Sequence, residues 1–246
     1  MAASACGFSG TIHLLISVPD GEARARHTLN SRLGVLGGIS VLGTSGIVRP
    51  YSHDAWKCAI DQGIGVASAL GLKELLLSTG RRSERLGFAL YPFLPPQAGI
   101  QVADFAAFSL RKIGVASFSR IFWVCFPGKL LKLAQGLEWT HAGAGAADIP
   151  LLADLGRKEG AGAELASRIA DMPTAVGAFA LLEEHGRELH DAVLLRLGRM
   201  AYANLRGWLL EARSGPAPGL SMTVFSTGQE PLLTIEDGEE RLASTG

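Results

Sequence analysis

At 246 residues, with 48% hydrophobic and 19% charged side chains, the sequence is long and apolar enough to bury a sizeable core, which excludes wholesale disorder. Lys plus Arg number 23 and Asp plus Glu number 23, so the net positive field of a duplex-binding protein is missing. Cys6, Cys58 and Cys125 form no CxxC pair, which points to a reducing compartment without a disulfide framework or a thiolate zinc site.

The start, MAASACGFSG, has neither the positive charge nor the continuous apolar run of a secretory leader. The longest apolar stretch, Ile113 to Phe126, is broken by Ser117, Ser119 and Arg120 and falls short of the ~18 residues a membrane span needs. A soluble, cytoplasmic protein is expected.

TIHLLISV (Thr11 to Val18) reads as a strand closed by the turn Pro19-Asp20-Gly21, and EARARHTLN as a short helix ending at Asn30. The apolar stretch from Leu33 to Pro50 then carries Gly34, Gly37, Gly38, Gly43 and Gly46, with Ser40, Thr44 and Ser45 between them. Ser52 suits a helix N-cap, and Trp56, Ile60, Ile64 and Ala67 repeat at helical spacing until Gly71. KELLLSTG predicts a strand, RRSERLGFAL a helix, QVADFAAFSLRKIGV another helix, RIFWVCF a bulky strand, and PGKLLKLAQG the helix after it. This alternation predicts an α/β fold with a mostly parallel, Rossmann-like sheet and crossover helices.

From Asp148 to Arg213 the composition shifts to Ala, Leu, Glu and Arg, a packed helical segment. SGPAPG reads as a linker, SMTVFSTG as a C-terminal strand, and the tail from Gln229, with its EDGEER charge run, as loosely ordered. The expected division is residues 1–30 as one region with a single strand, 31–213 as the α/β core with the helical segment, and 214–246 as linker, last strand and tail.

Three glycine-containing turns follow strand-like stretches, where open α/β sheets bind ligands. The first, GGISVLGTSG, fits neither G-x-G-x-x-G nor a Walker loop, yet it offers free N–H groups and hydroxyls to a polar small molecule. The second, STGRRSE, puts Arg81, Arg82 and Arg85 at a helix start. The third, FPGKLLK, places Lys129 and Lys132 at i, i+3 on one helix face, suited to carboxylates. Thr140 and His141 precede AGAGAA, which reads as a lid loop. Each has a structural alternative: a glycine turn under a helix, a solvated helix face, a hydrogen-bonded histidine. His13, His27, His53, His185 and His190 show no metal-ligand spacing, and no metal is expected.

The runs "ISVPDGE", "TLNSRLGVLGGISVLGTSGIV", "LLLSTGRRSE" and "PGKLLKLAQGLEWTH" resemble, in order and spacing, the CbiD family of cobalt-precorrin-5B C(1)-methyltransferases of anaerobic cobalamin synthesis. The resemblance implies methyl transfer from S-adenosyl-L-methionine to carbon 1 of a cobalt-precorrin, giving cobalt-precorrin-6A. It also implies that Gly37, Gly38, Ser40, Gly43, Thr44 and Gly46 meet the methyl donor. Arg81, Arg82, Lys129 and Lys132 would then meet the substrate's carboxylates, with Thr140 and His141 as further polar contacts. It assigns no catalytic base. Family members carry an N-terminal domain, and this sequence begins just before ISVPDGE. Two readings therefore stand: an active methyltransferase, alone, as a homo-oligomer or with a separate N-terminal partner; or a non-catalytic remnant that binds donor or corrinoid. An unrelated nucleotide-binding α/β enzyme is a third reading. Nucleic-acid and membrane roles find no support.

Overall fold

A computed structural model describes residues 7, 10–13, 15–28, 30–40, 52–141, 147–213 and 215–242. Its contacts divide the chain into two compact units, Met1–Val48 and Arg49–Gly246.

The first unit contains α1 (Gly21–Ala25) and a 3-10 turn, Asn30–Leu33. The helix expected to run on to Asn30 stops early, because the Thr28 hydroxyl donates to the Ala25 carbonyl at 2.7 Å and competes with the helical bond. Thr11–Val18 forms no strand among its described residues. Ile12, Leu15 and Ile16 are 61%, 91% and 65% exposed, and no described segment pairs with them. β-branched composition does not make a strand without a partner ladder.

The second unit is an α/β sheet, as the alternation predicts. In chain order it runs α2 (His53–Ala69), β1 (Glu74–Ser78), α3 (Arg81–Leu90), β2 (Gly99–Gln101), α4 (Ala106–Gly114), β3 (Arg120–Cys125) and α5 (Pro127–Ala134). Then come α6 (Ile149–Lys158), α7 (Ala163–Ala170), α8 (Ala175–His185), α9 (Arg187–Glu211), β4 (Gly219–Phe225), β5 (Pro231–Glu236) and β6 (Glu239–Leu242). The strands lie in the order β2-β1-β3-β4-β5-β6; the first four are parallel and the last two antiparallel. The order 2-1-3-4 reverses direction between β1 and β3. That reversal is where a doubly wound sheet opens a crevice beyond its strand ends.

Strand register explains the two-faced core. Leu77, Trp123 and Met222 sit in one row across β1, β3 and β4, and they belong to the large core built with α2, α4, α5 and the helices after them. The neighbouring row, Leu76 and Phe122, faces the smaller cluster under Leu86, Phe88 and Tyr91 of the α3 region. The long helix α9 packs on both α4 and α5, behind the sheet. Asp148 and Thr174 cap α6 and α8, accepting from Leu151 N and Gly177 N at 3.1 Å each.

Two further expectations change. The stretch QVADFAAFSLRKIGV is not one helix: its first residue closes β2, Ala103 takes φ 49°, and α4 starts only at Ala106. The tail expected to be loosely ordered instead pairs as β5 and β6, extending the sheet past the C-terminal strand that was anticipated.

Candidate functional site

The crevice between β1 and β3 is bounded by Thr79-Gly80 leading into α3 and by Phe126 leading into α5. Both helices present N-terminal amides there. A Cβ at Gly80 or Gly128 would meet nothing within 4 Å, so the backbone at both turns faces open space. At the end of β1, the Ser78 hydroxyl is buried and has no hydrogen-bond partner among the described residues. Arg82 crosses the strand ends: its guanidinium stands 4.9 Å from the Phe126 ring centroid and donates to the Thr227 carbonyl beyond β4. Arg85 donates to Gln229 Oε1 at 2.6 Å, whereas Arg81 is exposed at the helix start.

Lys129, Lys132 and Thr140 meet around Asp104, which follows β2. Lys129 Nζ donates to Asp104 Oδ1 and, at 3.1 Å, to the Thr140 hydroxyl. That hydroxyl donates to Asp104 Oδ1 at 2.9 Å, and Lys132 Nζ reaches the Thr140 carbonyl at 3.0 Å. The Asp104 carboxylate thus pairs with Lys129, Lys132 joins through the Thr140 carbonyl, and the cluster carries an excess of positive charge. Burial alone would raise the Asp104 pKa, but the Lys129 hydrogen bond and charge, the Thr140 hydroxyl and His141 together lower it below 3.8. Lys132 is lowered from 10.5 by burial first and Lys129 second, against the pull of Asp104.

An aromatic wall adjoins this cluster. The Trp139 indole stacks on the His141 ring at 5.1 Å and 11°, and His53 meets Trp139 edge-on at 4.7 Å and Phe105 at 5.8 Å. Beside it, His53, Lys57, Phe105, Phe108, Lys112 and Trp139 help line a cavity of about 780 Å³.

The structure therefore brings together four of the expected substrate residues, Lys129, Lys132, Thr140 and His141. Arg82 is drawn off towards the β4–β5 turn and Arg81 stands apart on α3. Asp104, Trp139, His53 and Phe105 were not singled out from sequence. Asp104 was hidden because β2 has only three residues, and the helical pattern of the residues after it absorbed the strand end.

The expected donor residues lie in the first unit. Gly37 takes φ 79°, and with Gly38, Glu22 and Arg26 it lines a cavity of about 380 Å³. A Cβ at Gly38 would meet nothing within 4 Å, so the half-buried backbone there borders open space and suits the close approach of a polar ligand. The Ser40 hydroxyl donates to Asn30 Oδ1 at 3.3 Å. Gly43, Thr44 and Gly46 lie outside the described residues, as do residues 142–146 of the expected lid. Among the described residues, no group of three or more His, Cys, Asp or Glu side chains is placed to hold a metal ion.

Two family models match the chain: CbiD over residues 2–50, and CbiD, C-terminal domain, over residues 139–226. It is similar to a cobalt-precorrin-5B C(1)-methyltransferase of Nitratidesulfovibrio vulgaris, 46% identical over 222 residues, covering 90% of this chain and 55% of that protein. Proteins of the same name from Priestia megaterium and Thermus thermophilus are 41% and 36% identical, covering 71% and 87% of this chain and 48% and 57% of theirs. The chain spans about half the length of the curated relatives it matches. No solved structure matches it.

Proposed function

The chain belongs to the CbiD family, and from that premise we propose that it takes part in methylating carbon 1 of cobalt-precorrin-5B, with S-adenosyl-L-methionine as donor. The observation that carries this reading is the cationic cluster of Lys129 and Lys132 around Asp104 and Thr140, set beside the β1–β3 crevice. A corrin precursor bears several carboxylate arms, and half-buried ammonium groups beside helix N-termini suit them.

When bound, the donor supplies an activated sulfonium methyl, so the protein's work is mostly orientation and exclusion of water. Asp104 holds Lys129 in place from its conformationally strained loop, and Thr140 presents its carbonyl to Lys132. The two ammonium groups fix the macrocycle through its arms. Trp139 and His141 offer a flat wall to its face. Gly37 and Gly38 would receive the donor where their backbone is uncovered. We place this work in the cytoplasm; among the described residues no helix is long and apolar enough to cross a membrane.

The same cluster would also serve a chain that binds corrinoid without methylating it. The test is incubation of the purified chain with S-adenosyl-L-methionine carrying a labelled methyl and with cobalt-precorrin-5B, with and without the N-terminal half of a relative. Label in the macrocycle in either arm supports methyl transfer. Corrinoid binding without label in both arms leaves the binding role alone.

A further inference from the structure

We propose that the cavity of about 780 Å³ beside the lysine cluster is a second contact for the same flat macrocycle, with Lys57 meeting one of its carboxylate arms. The identity of the ligand rests on the function proposed above; the cavity's chemistry stands on the residues.

Three observations lead there. First, the cavity is of ligand size and largely apolar in its lining, through Phe105, Phe108, Val115 and Trp139. Second, its cations are unequal. Arg111 is held by Glu138 and by Glu211, and Lys112 pairs with Asp61 at 2.9 Å. Lys57 meets no carboxylate among the described residues; its Nζ instead stands 5.7 Å and 5.5 Å from the Phe105 and Phe108 ring centroids. A cation held over two aromatic faces keeps its attraction for an anion that arrives with apolar surface around it. Third, the Trp139 ring forms part of the cavity wall, and its buried N–H has no acceptor among the described residues.

The cavity is also continuous with the cluster along the chain. Phe105 follows Asp104, and Trp139 precedes Thr140. A small anion would occupy either place; a broad, flat ring with several acidic arms spans both. His53, edge-on to Trp139 and Phe105, borders the wall between them.

The experiment titrates the full chain with uroporphyrin III, a flat tetrapyrrole with eight carboxylates, following tryptophan quenching, and with cobinamide, a corrin whose arms are amidated. Two variants accompany it, Lys57→Gln and Val115→Glu, the latter at a lining position that is 69% exposed and so compatible with folding. Saturable uroporphyrin binding, weaker by about tenfold in each variant and weaker for cobinamide, is the expected result. Unchanged affinity in both variants, equal affinity for cobinamide, or no binding by the folded chain overturns the proposal. Methyl transfer, measured on the same preparations, separates the two ideas. Porphyrin bound through Lys57 without methylation leaves the subsite and removes the activity. Methylation with porphyrin affinity indifferent to both variants removes the subsite alone.

Discussion

Thr140 is tied to Asp104 twice: its backbone N–H donates to the Asp104 carbonyl at 2.9 Å, and its hydroxyl donates to Asp104 Oδ1, also at 2.9 Å. Thr140 is 2% exposed, so the pair joins the end of β2 to the segment after α5 inside the protein. Thr140→Val keeps the shape and the backbone bond but removes the hydroxyl. It leaves Asp104 one donor short and Lys129 one acceptor short. The expected loss is about 1–2 kcal/mol in urea unfolding, with Thr140→Ser close to wild type. A Val variant as stable as wild type would mean the hydroxyl contributes nothing here.

The lowered pKa of Asp104 sets a pH dependence. Its unfolded value is near 3.8 and its folded value lies below that, so its stabilising contribution is full above about pH 4. That contribution is lost as pH falls through the folded value. Asp104→Asn removes the titration and takes from Lys129 the carboxylate that it pairs with. Wild type should exceed the variant by about 1–3 kcal/mol at neutral pH, and the gap should shrink below pH 4. Urea midpoints of both proteins from pH 7 to pH 3 measure it. A gap independent of pH would contradict the role of the charge.

Gly38→Val tests the donor's place. Nothing lies within 4 Å of a Cβ there, and the residue lines the cavity of about 380 Å³. The side chain therefore fills the cavity without a clash, and stability should stay within about 0.5 kcal/mol. Calorimetric titration with S-adenosylhomocysteine should show binding to wild type and at least tenfold weaker binding to the variant. Equal affinities would move the donor away from Gly37 and Gly38.

Glycines in the second unit differ in what surrounds them. A Cβ on Gly114 of α4 would stand 2.6 Å from the backbone carbonyl oxygen of Leu209 on α9, and backbone cannot swing aside as a side chain can. Gly114→Ala should cost about 2–3 kcal/mol and lower the melting temperature by several degrees. Gly128→Ala, with nothing within 4 Å, should be nearly neutral. Thermal unfolding of both decides the contrast. A neutral Gly114→Ala would mean that α4 and α9 can separate freely.

What could be read from sequence follows the physics of each segment. Leu75 to Leu77 and Ile121 to Val124 are buried on both faces of a parallel strand, so their continuous apolar runs announce them. Lys129 and Lys132 share a helix face by spacing alone. Asp104 does not show itself, because its partners Lys129 and Thr140 lie 25 and 36 residues away and meet it only when β2 takes its place beside β1. Thr11 to Val18 has the composition of a strand and, among the described residues, no ladder to join. The charge run EDGEE concealed the opposite case. It reads as a solvated tail, yet Asp237-Gly238 is a turn signature that outweighs the charges around it.

That turn carries the last prediction. Asp237 and Gly238 take φ 46° and 99°, both left-handed, as a two-residue hairpin loop between β5 and β6 requires. An L side chain at residue 238 loses the freedom to sit there, and β6, at the sheet edge, is held by its ladder with β5 and by the Glu240 carboxylate, which accepts from Arg199 of α9 at 2.6 and 2.7 Å. Gly238→Val should cost about 1–2 kcal/mol locally, with faster amide exchange confined to β5 and β6 and little change in β1 or β3. Asp237→Asn keeps a residue that tolerates this conformation and should leave exchange near wild type. Wild-type protection throughout β6 in Gly238→Val would show that the turn does not hold the strand, and that the β5 ladder and the Arg199–Glu240 pair suffice.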